Sequence, residues 1–106
     1  AFKIMDPINY LDRINKIPKY ILVSSDDEFM SMDWTNIYWD KLGGEKHLSI
    51  LPNTEHSMST GMYEAVSLIS TWTRSIAASK TDRPTFDFQY DNLTGEITVT
   101  VPKDQV

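Results

Sequence analysis

The sequence predicts an α/β fold in which a short βαβα unit is followed by a β-hairpin. A short apolar run at residues 20–23 lacks alternation, which is typical of a strand buried on both faces of a parallel sheet, and a second stretch, within residues 45–53, is short, apolar at its centre and closed by Pro52. A third stretch, about residues 61–78, has apolar positions at helical spacing. Beyond residue 85, apolar residues alternate with polar ones in two runs, which indicates a hairpin with one buried face.

The N-terminal segment predicts a short helix before the first strand. Asp6 is a candidate N-cap, and Pro7 follows where its missing N–H does no harm. Ile8, Leu11 and Ile14 then fall on roughly one helical face.

The first strand, residues 20–23, follows Pro18 and ends in a cluster of turn-forming residues, 24–27. A second helix is predicted next, with Asp33 as its cap and the glycine pair at 43–44 as its stop. The apolar residues near helical spacing in this helix are Trp34, Ile37, Tyr38 and Leu42.

The second strand, within residues 45–53, is closed by Pro52 and leads through a loop into the strongest amphipathic helix of the chain. This order of elements argues for a βαβ unit with parallel strands and a right-handed crossover. We expect the apolar stripe of the last helix to be core. Its members are Met62, Ala65, Val66, Ile69, Trp72, Thr73 and Ile76.

The hairpin predicted at the end of the chain turns at "DNLTG", which also contains the glycosylation pattern Asn92-Leu93-Thr94. An isolated hairpin is marginal in water, so its apolar face needs further strands or a helix to cover it. We therefore expect an excerpt of a larger protein, with one domain at residues 1–80 and the start of a β-rich region at 81–106. The alternating apolar residues are Phe86, Phe88, Tyr90, Ile97, Val99 and Val101.

Composition excludes several classes of function. The 106 residues carry 10 Lys and Arg against 15 Asp and Glu, and a net charge of -5 repels a phosphate backbone, so we expect no nucleic-acid partner. The longest apolar runs are far short of the roughly 20 residues that cross a bilayer. The chain has no cysteine, which excludes disulfides and thiolate chemistry. The composition does not indicate whether the chain is a monomer or an oligomer.

Polar clusters follow both predicted strands, "SSDDEF" after the first and "PNTEHSM" after the second. Because ligands of parallel sheets gather at the carboxyl ends of the strands, Asp26, Asp27 or Glu28 is expected near His56. A carboxylate that orients an imidazole is two thirds of a hydrolase triad, and acid before histidine is the chain order of α/β-hydrolases. The alternative is that the acids are turn-formers or helix caps and the histidine is structural or exposed.

Two other groups of residues are weaker candidates for a functional site, one for metal binding and one for substrate binding. His47, Glu55 and His56 include potential metal ligands, but His47 lies at the opposite end of its strand from His56, so we expect no metal, and we expect no cofactor. An aromatic group directly after the acids is more often core than pocket, yet it is the best candidate for a substrate wall. Its members are Phe29, Trp34, Tyr38 and Trp39.

Four stretches of the chain carry a family resemblance that spans nearly its whole length: "DPINYLDRINKIPKYILVSSDDEFM", "YWDKLGGEKHLSILPNTEHSM", "RPTFDFQY" and "GEITVTV". They resemble the C-terminal part of the PhoPQ-activated pathogenicity-related protein family, which includes the autocrine proliferation repressor proteins. The resemblance implies the last strands of an α/β-hydrolase-like domain, followed by the start of a β-sandwich-like region. The chain departs from the common hydrolase pattern at Ser24, because a glycine often precedes the acid by three residues.

The resemblance also implies roles for individual residues. Asp27 matches the acid position and His56 the histidine position, while the nucleophilic serine lies in an upstream motif that this chain lacks. The expected parent is a serine hydrolase, a peptidase or esterase acting on a small-molecule ester or peptide, and residues 1–106 alone are expected to be inactive. The alternative is a virulence or signalling protein that keeps the fold and binds a partner. The resemblance implies that either kind of protein would be secreted or would lie in the periplasm or cell envelope.

Overall fold

Two parallel strands, β1 (Lys19–Ser24) and β2 (Lys46–Leu51), form the sheet of the N-terminal part of the chain. A computed structural model describes residues 2–79 and 83–103, with the backbone alone for residues 2 and 3. The register runs without interruption from Lys19 opposite Lys46 to Ser24 opposite Leu51. The predicted parallel pairing is therefore confirmed, and it brings the carboxyl ends of both strands to the same edge.

The segment before β1 forms three short helical pieces. These are α1 (Phe2–Met5), a 3₁₀ turn (Pro7–Tyr10) and α2 (Leu11–Ile14). Asp6 caps the 3₁₀ turn as predicted, because its Oδ1 accepts a hydrogen bond from the backbone N–H of Ile8 at 3.1 Å.

The predicted second helix is present only in pieces. A 3₁₀ turn (Met32–Trp34) passes into α3 (Thr35–Tyr38) and then into a second 3₁₀ turn (Trp39–Lys41). The prediction that Asp33 is the cap was wrong, since Ser31 holds the N-cap position and Asp33 lies in the first turn.

Local chemistry explains why this helix does not continue. Residues 34–39, "WTNIYW", are all aromatic, β-branched or asparagine, and such residues lose side-chain freedom in a helix or bind their own backbone instead. The Thr35 hydroxyl does so, donating to the carbonyl of Met32 at 2.7 Å.

The long helix α4 (Met62–Ala77) begins where it was predicted. Its Trp72 stacks on Tyr20 of β1 with ring centroids 5.5 Å apart and lies 5.3 Å from the ring of His47 on β2. At its start, a Cβ on Gly61 would lie 2.5 Å from Oγ1 of Thr54, so the residue before the helix must lack a side chain.

The expectation that the apolar stripe of α4 is core was wrong for most of its members. Ala65 is buried, but Met62, Val66, Ile69 and Ile76 are exposed. Within the described residues, Leu51 and Ala65 are the buried apolar side chains, and no layer covers the stripe. None of the helices in this part of the chain has the length and apolarity needed to cross a membrane.

The described chain divides into two compact units, one ending at Thr73 and one beginning at Arg74. In the second unit, β3 (Asp87–Tyr90) and β4 (Ile97–Thr100) form the predicted antiparallel hairpin. The predicted domain boundary between residues 80 and 81 lies outside the described residues.

One face of the hairpin is apolar, as the alternation predicts, since Phe88 lies opposite Val99 and Tyr90 opposite Ile97. This face is exposed rather than buried, because nothing in the described second unit packs over it. The structure is thus a mixed α/β chain with a small parallel sheet and an antiparallel pair.

Candidate active site

The loops that follow β1 and β2 are joined by hydrogen bonds beyond the ends of the strands. The backbone N–H of Ser25 donates to the carbonyl of Leu51 at 2.9 Å, and that of Asp26 donates to the carbonyl of Thr54 at 3.0 Å. The Ser25 hydroxyl accepts from the N–H of Asn53 at 2.8 Å. Both loops are therefore held together at the carboxyl edge of the sheet.

Asp27 and His56 meet at this edge. Nδ1 of His56 lies 3.0 Å from Oδ1 and 3.0 Å from Oδ2 of Asp27. The Asp27 side chain is only 10% exposed, whereas that of His56 is 48% exposed. Within residues 2–73 no group hydrogen-bonds to Nε2 of His56, so in this unit the carboxylate fixes one side of the ring and leaves the other open. The proximity expected from the strand order is confirmed.

The Asp27 carboxylate is a fixed acceptor. Burial raises its pKa, but the backbone N–H groups of Met30 and Phe29, together with the His56 ring, lower it by more, so that the pKa lies below its usual range. Its Oδ1 accepts from Phe29 N at 2.9 Å and from Met30 N at 2.7 Å. Asp27 is consequently ionised at neutral pH and can hold the His56 tautomer that carries its proton on Nδ1.

The three consecutive acids have different partners. Asp27 contacts the imidazole, Glu28 accepts a hydrogen bond from the backbone N–H of His56 through Oε2 at 3.2 Å, and Asp26 accepts from the Ser25 hydroxyl at 3.1 Å. Two neighbouring carboxylates thus hold one histidine, by its side chain and by its main chain. The sequence placed Glu28 near His56 but gave no signal that it would bind the backbone.

Glu55 orders the loop on the other side of His56. Its carboxylate accepts hydrogen bonds from the Ser57 hydroxyl at 2.5 Å, from Ser59 N at 2.8 Å and from the Thr60 hydroxyl. The Ser57 and Thr60 hydroxyls lower the pKa of Glu55 from 4.5 to about 2. Sequence reasoning considered Glu55 only as a metal ligand and missed this role, for which the spacing of acceptor and hydroxyls in "EHSMST" was the available signal.

Ser24, where the chain departs from the usual hydrolase glycine, is the last residue of β1. It is 1% exposed, and its hydroxyl has no hydrogen-bond partner in the described part of the chain. Its φ is not in the left-handed region, so the turn before Asp27 accommodates a side chain without backbone strain.

One of the four candidate aromatic residues lies against the histidine. The Phe29 ring meets the His56 ring edge-on, with centroids 5.0 Å apart and planes at 75°, and Phe29 is 67% exposed. Trp39 instead lies under the ammonium group of Lys46, 4.6 Å from its ring centroid. No ring contact joins Trp34, Tyr38 or Trp39 to His56 in residues 2–79.

His47 lies away from this pair, at the start of β2. Its Nε2 is 3.0 Å from Oε1 of Glu45, and its ring contacts Trp72. Among the residues that the structure describes, no three side chains of the types that hold metal ions form a group.

The fold and the acid–histidine pair define a mixed α/β protein with a candidate reactive site at the carboxyl edge of a parallel sheet. Residues 1–106 match the PhoPQ-activated pathogenicity-related protein family over their whole length, and the chain belongs to this family. The chain is also 40% identical, over 106 aligned residues, to autocrine proliferation repressor protein A of Dictyostelium discoideum. The match covers 94% of this chain and spans 21% of the relative. No solved structure matches the chain.

Proposed function

We propose that this chain is the C-terminal portion of a serine-hydrolase-like protein and supplies Asp27 and His56 to a Ser-Asp-His triad. The contact of both Asp27 oxygens with Nδ1 of His56 at 3.0 Å is the observation that carries this proposal. The parallel strands with both loops at one edge support an α/β-hydrolase-like sheet as the framework. The hairpin would then begin a β-sandwich-like region.

The mechanism follows from the two ring nitrogens. Asp27 holds the proton on Nδ1, so Nε2 carries the lone pair that accepts a proton from a nucleophilic serine as it attacks a carbonyl. The imidazolium that forms is stabilised by the Asp27 carboxylate and returns its proton to the leaving group. The result is acyl transfer to the serine, followed by hydrolysis of the acyl-enzyme.

The nucleophile is assigned to an upstream segment of the parent. Two serines beside the pair use their hydroxyls inside the loops, since Ser57 donates to Glu55 and Ser25 donates to Asp26, and the hydroxyl of Ser24, unpartnered among the described residues, is buried at the end of β1. Ser59 shares a hydrogen bond with Ser57 at 2.6 Å. Within residues 2–73 no serine hydroxyl hydrogen-bonds to His56, and residues 1–106 alone are expected to be inactive.

Phe29 supports an apolar wall beside the reacting atoms. Its exposed ring lies against His56, and the neighbouring Met30 is exposed as well. An ester or peptide with an apolar group next to the scissile carbonyl would bury this surface on binding. Trp34, Tyr38 and Trp39 stay in the proposal only as more distant members of that wall.

A second candidate function is partner binding by a protein that keeps the hydrolase fold. The relative's name describes an autocrine repressor of proliferation, and the family's name refers to pathogenicity, so neither names a hydrolase. A secreted or envelope location belongs to the same proposal. Fold alone does not decide between catalysis and binding.

A fluorophosphonate probe, which reacts with activated serines, tests the two functions. The probe should label the longest natural polypeptide that contains this chain, and His56→Ala should abolish the labelling. His47→Ala is the matched control, because His47 contacts Glu45 and Trp72 instead of Asp27 and should leave the labelling unchanged. A folded protein that takes up no probe would overturn the hydrolase proposal and favour binding.

A further inference from the structure

The turn between β3 and β4 is held by Asp91. Its backbone N–H donates to the carbonyl of Glu96 at 2.9 Å, and its own carbonyl accepts from Gly95 N at 2.8 Å. Its carboxylate accepts from Leu93 N at 2.7 Å and from Thr94 N at 3.1 Å. Gly95 closes the turn with φ +75°, a conformation that glycine adopts without strain. The turn therefore keeps its shape without any contribution from the Asn92 side chain.

Asn92 presents an unused amide at the tip of this turn. The residue is exposed, and its neighbour Leu93 is 96% exposed. In residues 83–103 no hydrogen bond involves the Asn92 side chain. By contrast, the amides of Asn9 and Asn15 have structural partners, the carbonyls of Asp6 and Lys41.

Thr94, two positions after Asn92, completes the Asn-x-Thr pattern of N-glycosylation acceptors. Thr94 follows Asn92 with leucine between them, and a non-proline residue is required at that place. The Thr94 hydroxyl oxygen accepts from Glu96 N at 3.2 Å, and the Thr94 side chain also hydrogen-bonds to the Asp91 carboxylate, which contributes to lowering the pKa of Asp91. No other asparagine of the chain has serine or threonine two positions later.

We propose that Asn92 is the acceptor of an N-linked oligosaccharide when the chain enters a glycosylating secretory compartment. The donor is a lipid-diphosphate-linked oligosaccharide. A bond forms between Nδ2 of Asn92 and the anomeric carbon, the bond from that carbon to the diphosphate oxygen breaks, and Nδ2 loses one proton. The lipid diphosphate is the leaving group, and nothing is oxidised or reduced. The inference rests on the secreted location of the proposed function, but not on hydrolase activity.

The folded hairpin accommodates such a bulky, hydrophilic group. The last strand pair, Tyr90 with Ile97, precedes the turn, and Asp91 rather than Asn92 supplies its internal hydrogen bonds. A glycan at the tip would therefore leave the strand register intact and remain in solvent.

The test places the longest natural polypeptide containing this chain behind a cleavable secretion signal in a eukaryotic host, so that translocation does not depend on the native leader. We expect glycopeptide mass spectrometry to find the glycan on Asn92. Asn92→Gln and Thr94→Ala should lose it, whereas Thr94→Ser should keep it. Leu93→Pro should lose it without removing either reacting side chain.

Two outcomes would overturn the inference: secreted protein with an unmodified Asn92, in a host that glycosylates a co-expressed reporter, or a glycan on the Thr94→Ala variant. Either result would leave the hydrolase proposal untouched, since Asn92 belongs to the hairpin and not to the Asp27–His56 pair. Conversely, a glycosylated protein that does not react with the fluorophosphonate probe would support this inference and contradict the hydrolase proposal.

Discussion

Nδ1 of His56 lies 3.0 Å from both carboxylate oxygens of Asp27, although 29 positions separate the two residues in the chain. The distance is short because β1 and β2 are parallel neighbours that end opposite each other, at Ser24 and Leu51. The backbone bonds from Ser25 and Asp26 then carry the pairing past the strand ends. The contact is thus a product of the sheet topology together with two loops that remain joined.

Asp27→Asn should lower kcat of the full-length protein on an activated ester by about 10³–10⁴-fold, because the amide cannot hold the imidazole tautomer or stabilise the imidazolium. The amide oxygen can still accept from Phe29 N and Met30 N, so the fold of the loop should survive. Asp26→Asn is the matched control, as the Asp26 side chain hydrogen-bonds within the described residues to the Ser25 hydroxyl of its own loop and not to His56. Equal rates for both variants would remove Asp27 from the mechanism.

Glu28→Ala should lower kcat by about fivefold with little change in KM, since a hydrogen bond that holds the His56 backbone contributes about 1 kcal/mol. Glu28→Gln retains an acceptor oxygen at the same place and should recover most of the rate. Steady-state kinetics on both variants give the comparison. If Glu28→Ala and Glu28→Gln have the same kcat, the hydrogen bond between Glu28 and the His56 backbone has no part in positioning the ring.

The Glu55 loop should lose order in acid. The pKa of Glu55 in the fold, about 2, is below its ordinary 4.5, so its contribution to stability is complete above about pH 4.5 and is lost as the pH falls through about 2. The protection factor of the Ser59 amide, which donates to Glu55, should fall over that interval when hydrogen exchange is compared with the unstructured rate at each pH. At neutral pH the Ser59 amide of Glu55→Gln should be less protected than that of the wild type, and the difference between their protection factors should vanish only below about pH 2. A constant difference across the range would contradict the assignment.

Ser24→Ala should raise the midpoint of thermal unfolding. Removing a buried hydroxyl that lacks a partner relieves a desolvation cost of about 1 kcal/mol. Ser24→Gly, which restores the residue common in hydrolases, should be less stable than Ser24→Ala by roughly 0.5–1 kcal/mol, because glycine in a strand loses more backbone entropy. A destabilised Ser24→Ala variant would mean that the hydroxyl has a partner elsewhere in the full-length protein.

Sequence reasoning predicted the features that depend on periodicity and chain order. An apolar run without alternation located β1, and a short stretch with an apolar centre closed by Pro52 located β2. The rule that parallel strands end together then brought an acid near His56. Neither argument could choose among Asp26, Asp27 and Glu28, because all three follow the same strand. Which of the three acids contacts the His56 ring depends on the direction of each side chain in a tight turn. A run of three acidic residues does not reveal those directions.

The predictions that were wrong concern helices and burial. The helix expected over residues 33–42 breaks into three pieces because its apolar spacing is filled by poor helix formers. The apolar stripe of α4 was expected in a core, yet periodicity identifies only which face is apolar and not whether anything covers it. The same holds for the exposed apolar face of the β3–β4 hairpin.

The close approach of Gly61 to Thr54 should constrain which residues homologous sequences carry at these two positions. A methyl group at position 61 would collide with the buried Thr54 side chain, which lies two residues before His56. Homologous sequences that keep threonine at 54 and the histidine loop should therefore keep glycine at 61. Where glycine has been replaced, a smaller residue than threonine is expected at 54, so the two positions should vary together over evolutionary time.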